Sequence, residues 1–174
     1  ADDGKESDWM EPYSLDGESL KLPLQSPFEG EHLDLAHQQL DPGYVLLLSW
    51  WLTTEFSAAV YEVNVNTNPI GVDGAKALGA ILPDSSLKCL IIGPKSTRLP
   101  VNDAEVTELN FEGQDFTPAE VTLVAAATLT MAVVTSINCL ANKFGEEDLA
   151  TLLTAIEGTS VRSLCGLTEG QTTA

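Results

Sequence analysis

A chain of 174 residues, 44% of them hydrophobic, holds enough apolar material for one substantial core, which excludes a disordered chain as a whole. Eight Lys and Arg stand against 26 Asp and Glu, a formal net charge of −18, and a field of that sign disfavours nucleic acid and anionic membranes as partners. The matching partner is a basic protein surface or a divalent cation, unless the acidity serves solubility alone.

Residues 1–18 are acidic and poor in aliphatic side chains, with Trp9, Met10 and Tyr13 as isolated anchors. They read as a tail that docks on a partner rather than folding alone. Residues 19–30 carry Leu20, Leu22, Leu24 and Phe28 among Pro23 and Pro27, which suits an irregular strand covering the end of a core, an N-terminal cap.

From Glu31 onward, short alternating segments follow one another, each centred on one aliphatic residue: Leu33, Val63, Leu90, Leu109, Ile137 and Leu164. The spacings are 30, 27, 19, 28 and 27 residues. Four of the five leave room for a turn and a helix, and the third does not. In the first unit Asp41 and Pro42 read as N-cap and first helical position, and Tyr44, Leu48 and Leu52 repeat at helical spacing. The second unit, Val60 to Leu82, passes from strand through an Asn-Pro turn to a helix with Gly74, Leu78 and Leu82 on one face. The third meets Pro94 and Pro100 within a few residues of its strand, so it returns by a loop. Thr117, Pro118 and Glu120 read as a capping box for the helix of the fourth unit, whose almost wholly apolar sequence predicts burial on more than one side. The fifth unit, again with a helix, runs from Val134 to Glu157. A sixth strand, Val161 to Gly166, is followed by no amphipathic helix, so the C-terminal end of residues 31–174 is expected to be uncapped.

Strand, turn and helix recurring in this way resemble leucine-rich repeats of the ribonuclease-inhibitor type. The resemblance rests on Val60, Val63, Val65, Asn68, Ile70, Gly74, Leu78 and Leu82, and again on Val134, Ile137, Cys139, Asn142, Phe144, Leu152 and Ile156. Gln38, Gln114, Lys95 and Glu169 depart from the family's turn asparagine. The resemblance implies an α/β solenoid with a parallel sheet on the concave face and helices on the convex face. It implies also a non-enzymatic module binding another protein across the concave sheet. The alternative is a structural accessory subunit buried in a large assembly; a GTPase-activating regulator ranks behind both.

With that register, Asp34, Asn64, Asn110 and Asn138 fall in one exposed row, flanked by Glu62, Glu108 and Glu112, and these are the candidate partner-binding residues. Trp50 and Trp51, in a helix more apolar than one face requires, are candidates for a second contact unless the cap folds over them. Catalysis finds little support, since neither a nucleophile elbow nor a phosphate loop is present. His32 beside Asp34 and Glu62 falls short of a metal-ligand or acid-base set. No cofactor is expected. Cys89, Cys139 and Cys165 lack CxxC spacing, and reduced thiols point to an intracellular or organelle-interior setting, with Cys89 and Cys165 as candidate accessible thiols. The 22 uncharged residues from Val121 to Asn142 are interrupted by Thr, Ser and Asn, so they divide into a helix and a strand rather than spanning a membrane.

Overall fold

The computed structural model describes Trp9, Met10 and residues 22–168. Most of the acidic tail, the start of the cap and Glu169 therefore lie outside the described residues. The chain is a mixed α/β protein. Its elements are β1 (Trp9–Met10), β2 (Leu22–Pro23), β3 (His32–Asp34), α1 (Pro42–Trp51), β4 (Glu62–Asn64), α2 (Gly71–Ile81), β5 (Cys89–Ile92), β6 (Thr97–Pro100), β7 (Glu108–Asn110), α3 (Pro118–Thr128), β8 (Ser136–Asn138), α4 (Glu146–Ile156), β9 (Ser163–Leu164) and β10 (Leu167–Thr168).

The strand centres expected from the spacing pair in register: Leu33 with Val63 with Leu90, and Leu109 with Ile137 with Leu164, all parallel. Their side chains are buried in one core with Val45 and Leu48 of α1, Leu78 of α2 and Leu123 of α3. Alternate positions such as His32, Asp34, Glu108 and Asn110 face outward.

The strands do not form one continuous parallel sheet. Instead of a loop, the third unit makes an antiparallel hairpin, in which β6 pairs with β5 from Cys89 opposite Pro100 to Ile92 opposite Thr97. Gly93 at φ +69 and Ser96 at φ +52 form its turn. An antiparallel neighbour ends the parallel series, and the sheet closes as β3-β4-β5-β6 while a second begins at β7, ordered β7-β8-β9-β10. The second sheet likewise ends on an antiparallel partner, β10 beside β9.

Both halves thus share the order strand, helix, strand, helix, strand, returning strand. Equivalent residues lie 76 apart at Leu33 and Leu109, and at Gln38 and Gln114. They lie 74 apart at Val63 and Ile137, Asn68 and Asn142, and Leu78 and Leu152. Because no helix follows β5, α2 packs directly on α3 across the boundary between the halves. The approach is close: a Cβ added at Gly79 would lie 2.7 Å from the Ala126 Cβ, tighter than side chains tolerate.

Helix starts follow their local chemistry. The Asp41 carboxylate accepts from the Tyr44 N–H at 2.8 Å, and Glu120 accepts from the Thr117 N–H at 2.7 Å. At α4 the Asp148 carboxylate accepts from the Gly145 N–H at 2.9 Å. Asn102 fastens the two halves together. Its side-chain amide donates to the Leu82 and Leu87 carbonyls at 2.8 and 3.0 Å, and its own N–H donates to the Thr130 hydroxyl at 2.9 Å.

Of the two neighbouring tryptophans only one is covered. Trp51 is fully buried, donates from Nε1 to the Pro23 carbonyl at 2.8 Å and meets Phe28 edge-on at 6.2 Å. Its expected role as a partner contact is therefore corrected: it anchors the cap. Trp50 is 52% exposed, beside Leu46 and Leu47.

Candidate functional site

The outward row Asp34, Asn64, Asn110 and Asn138 exists in register within each sheet, and its residue type has a local cause. In each case the side-chain Oδ1 accepts from the backbone N–H two residues on, at 3.1 Å: Ala36, Asn66, Glu112 and Leu140. This is an Asx turn that ends the strand. Three residues after each Asx the backbone is left-handed, at His37, Thr67, Gly113 and Ala141. The carbonyl half of each asparagine is therefore structural. The amide groups of Asn64 and Asn110 keep their donors without a partner among the described residues, while Asn138 donates to the Glu112 carboxylate at 3.1 Å.

On the first sheet the acidity expected at Glu62 is cancelled. Glu62 is largely buried, with its side chain 11% exposed. One carboxylate oxygen meets His32 Nδ1 at 3.0 Å and the other accepts from the Arg98 guanidinium. His32 Nε2 in turn meets the Tyr61 hydroxyl at 2.9 Å, with the two rings edge-on. Burial opposes ionisation of Glu62, but the hydrogen bonds and charges of His32 and Arg98 outweigh it, and the carboxyl pKa lies below its ordinary value. Glu62 is thus a buried anchor for two outward groups rather than an acid available to a partner. Asp34 does not join it.

A carboxyl held below its ordinary 4.5 contributes stability above that pH and loses it as the pH falls through the folded value. Glu62→Gln is therefore expected to cost about 1–3 kcal/mol at neutral pH, the loss of charge-assisted hydrogen bonds. Urea denaturation of wild type and variant should converge on acidification. An offset persisting to pH 3 would assign the cost to shape rather than charge.

Arg98 was not legible as a site residue because Thr97–Pro100 reads as loop. The signal that reveals it is the alternation of buried Leu99 and Val101 with outward Arg98 and Pro100. It pairs opposite Ile91 and crosses the face to Glu62.

The second sheet keeps its acids. Glu108 and Glu112 are exposed and take part in no ion pair among the described residues. Between the sheets, Asp115 is held by Lys95 at 2.9 Å and Lys143 at 3.0 Å, and the hydrogen bonds from these two lysines lower its pKa. Thr97 donates to the Gln114 side chain at 2.7 Å, so the hairpin is fastened to the turn after β7. A groove of about 370 Å³ lies beside this junction, between the turn at Thr67–Gly71 and the start of α3, floored by Gly93 and Pro94.

Cys89 is buried, and burial foremost, with Glu62 adding and Arg98 opposing, raises its thiol pKa. This corrects its expected accessibility. Burial, with Cys165 adding, pushes Cys139 up to about 12. All three cysteines are free, and Cys165 is half-buried. Among the described residues, no three His, Cys, Asp or Glu side chains gather closely enough to hold a metal ion, and no helix is long and apolar enough to cross a membrane.

No protein-family model matches this chain, and no curated protein matches it.

Proposed function

We propose that the chain is a non-enzymatic protein-interaction module of leucine-rich repeat type, which binds a basic surface of a partner protein across the outward face of its second sheet. The observation that carries this reading is the contrast between the two faces. On the first, Glu62 is paired with Arg98 and hydrogen-bonded to His32. On the second, Glu108 and Glu112 remain exposed beside the free amide donor of Asn110. An open, polar, acidic strip suits recognition of Lys and Arg side chains in an extended segment or flat surface.

The repeat assignment draws support from the turn asparagines. Asn68 donates to the Leu35 carbonyl of the unit before it, and Asn142 to the Phe111 carbonyl of the unit before it. Gln38 and Gln114 occupy the same place in the turns after β3 and β7, the first parallel strand of each sheet. With no preceding parallel strand to reach, each donates only to its own turn, at Ala36 and Glu112.

Selection of binders from a displayed random-peptide library tests the proposal. Recovered sequences should be enriched in Lys and Arg, and binding should weaken about tenfold or more in Glu108→Lys/Glu112→Lys and weaken again with added salt. Arg98→Ala should leave it nearly unchanged. Binders indifferent to the Glu108 and Glu112 reversals, with the variant folded by circular dichroism, would overturn the assignment to this face.

A further inference from the structure

Along both sheets the residue after a strand centre offers its carbonyl to the strand before it. The Leu35 N–H donates to the Asn64 carbonyl at 2.8 Å, Val65 to Ile91 at 3.0 Å and Phe111 to Asn138 at 2.7 Å. Cys165 holds the corresponding place after Leu164, and there the pattern breaks: the Cys139 N–H donates to the Cys165 sulfur, at 3.3 Å. The cause is the turn. Leu164 pairs with Leu167, so Cys165 and Gly166 are the two residues of a tight hairpin, at φ +52 and +79. Such a turn needs positive φ at both places, which Asn-Gly supplies at least cost, and a cysteine in the first is a strained choice. Extended backbone would turn the Cys165 side chain to the outward face, as at Asn64 and Asn138. The left-handed backbone brings the sulfur back into the ladder, against the strand segment that carries Cys139.

We propose that Cys139 and Cys165 are a paired thiol site, which a low-molecular-weight disulfide converts to an intrachain disulfide. With Ile137 opposite Leu164, Cys139 falls opposite Gly166, so Cys165 stands one residue along and one strand across. At about 3.3 Å per residue and 4.8 Å per strand, the two Cα atoms lie roughly 6 Å apart, inside the window of about 4.4–6.8 Å that a disulfide spans. The Cys165 sulfur already rests on the Cys139 backbone, so closure asks for side-chain rotation and a small shift of the turn. Cys165 is half-buried and is the sulfur that the reagent meets. Cys139 is buried, and its thiol, pushed up to about 12 by burial with Cys165 adding, is the resolving partner. In the first step the Cys165 sulfur loses its proton and bonds to one sulfur of the reagent, whose S–S bond breaks and whose other half leaves as a thiol. In the second the Cys139 sulfur loses its proton, bonds to the Cys165 sulfur and displaces the remaining half as a second thiol. Two protein thiols are thus oxidised while one reagent disulfide is reduced. Cys89, buried in the first sheet, takes no part. The bond ties the last turn of the second sheet to the end of β8, so oxidation fixes that edge and reduction releases it.

Incubation of the folded chain with excess oxidised glutathione at mildly alkaline pH, followed by acid quench, denaturation, alkylation and peptide mass mapping, tests the proposal. Two of the three cysteines should be lost from the alkylated pool together, recovered as one linked pair of peptides holding Cys139 and Cys165, with Cys89 still alkylated. Dithiothreitol should restore all three. Cys139→Ala, folded by circular dichroism, should stop at a glutathione adduct on Cys165, and Cys165→Ala should leave Cys139 unmodified. The wild-type map decides the question even where Cys139→Ala does not fold. Cys139 and Cys165 both remaining alkylatable in the wild type would overturn the proposal. So would a glutathione adduct that persists on wild-type Cys165, or a bond that includes Cys89, which would mark exchange through the unfolded chain.

Discussion

Replacing Asn68 by Ala is expected to cost about 3–4 kcal/mol, because this side chain closes five backbone hydrogen bonds in two units at once. Its amide donates to the carbonyls of Leu35, Val65 and Asn66 at 2.7, 3.0 and 3.2 Å, and its Oδ1 accepts from the N–H groups of Gln38 and Leu40 at 2.9 and 3.1 Å. Removing it leaves carbonyls and amides in a turn that is partly shielded from water, and each such group costs about 1–3 kcal/mol when no solvent replaces the partner. Asp in the same place has the right size but presents an oxygen to three carbonyl oxygens, so Asn68→Asp should be at least as damaging at neutral pH. Gln114→Ala removes one donation to the Glu112 carbonyl at 3.1 Å and one acceptance from Thr97 at 2.7 Å, both near the surface, and should cost under about 1 kcal/mol. Chemical denaturation followed by circular dichroism measures all three. Equal losses for Asn68→Ala and Gln114→Ala would mean that the bridge between units carries little of the fold.

The second large effect separates two adjacent residues of one type. Trp51→Ala should destabilise the protein by about 3–5 kcal/mol, the usual cost of emptying a fully buried aromatic site. The side chain is inaccessible to solvent, stacks edge-on with Phe28 and holds the Pro23 carbonyl, so its loss also frees the cap residues. Against a total stability of about 5–15 kcal/mol for a typical domain, that is enough to populate the unfolded state. Trp50→Ala, at a half-exposed position, should change stability by less than about 1 kcal/mol. Trp51→Phe isolates the hydrogen bond, retaining most of the ring volume while leaving the Pro23 carbonyl without its donor. If Trp50→Ala proved the more costly, the register of α1 against the cap would be wrong by one residue.

The contrast between Trp50 and Trp51 shows where reading the sequence stops. Tyr44, Leu48 and Leu52 mark an inner face by spacing, but from Val45 to Leu48 and again from Trp50 to Leu52 the chain is apolar without a polar stripe, so nothing in the pattern bounds that face. Consecutive residues differ by about 100° around a helix, and packing alone chooses which one enters the core. The same limit applies to Glu62. Its outward strand position followed from alternation, but its neutralisation depends on Arg98, 36 residues away on a strand that two prolines disguised as loop.

What the sequence determined by itself is what neighbours within a few residues enforce. Alternation located Leu33, Val63, Leu90, Leu109, Ile137 and Leu164 at strand centres, and the pairs Asp41-Pro42 and Thr117-Pro118 located helix starts. Such features arise from backbone geometry and side-chain reach over one turn. The Asx turns at Asp34, Asn64, Asn110 and Asn138 belong to this class as well, since acceptor and donor are two residues apart. What only the tertiary structure decided is how many sheets those strands make, which acid keeps its charge and which tryptophan is buried. Each depends on segments distant in sequence meeting in space: β6 closing the first sheet, Arg98 crossing to Glu62, and Leu22 to Phe28 folding over Trp51 while leaving Trp50 exposed.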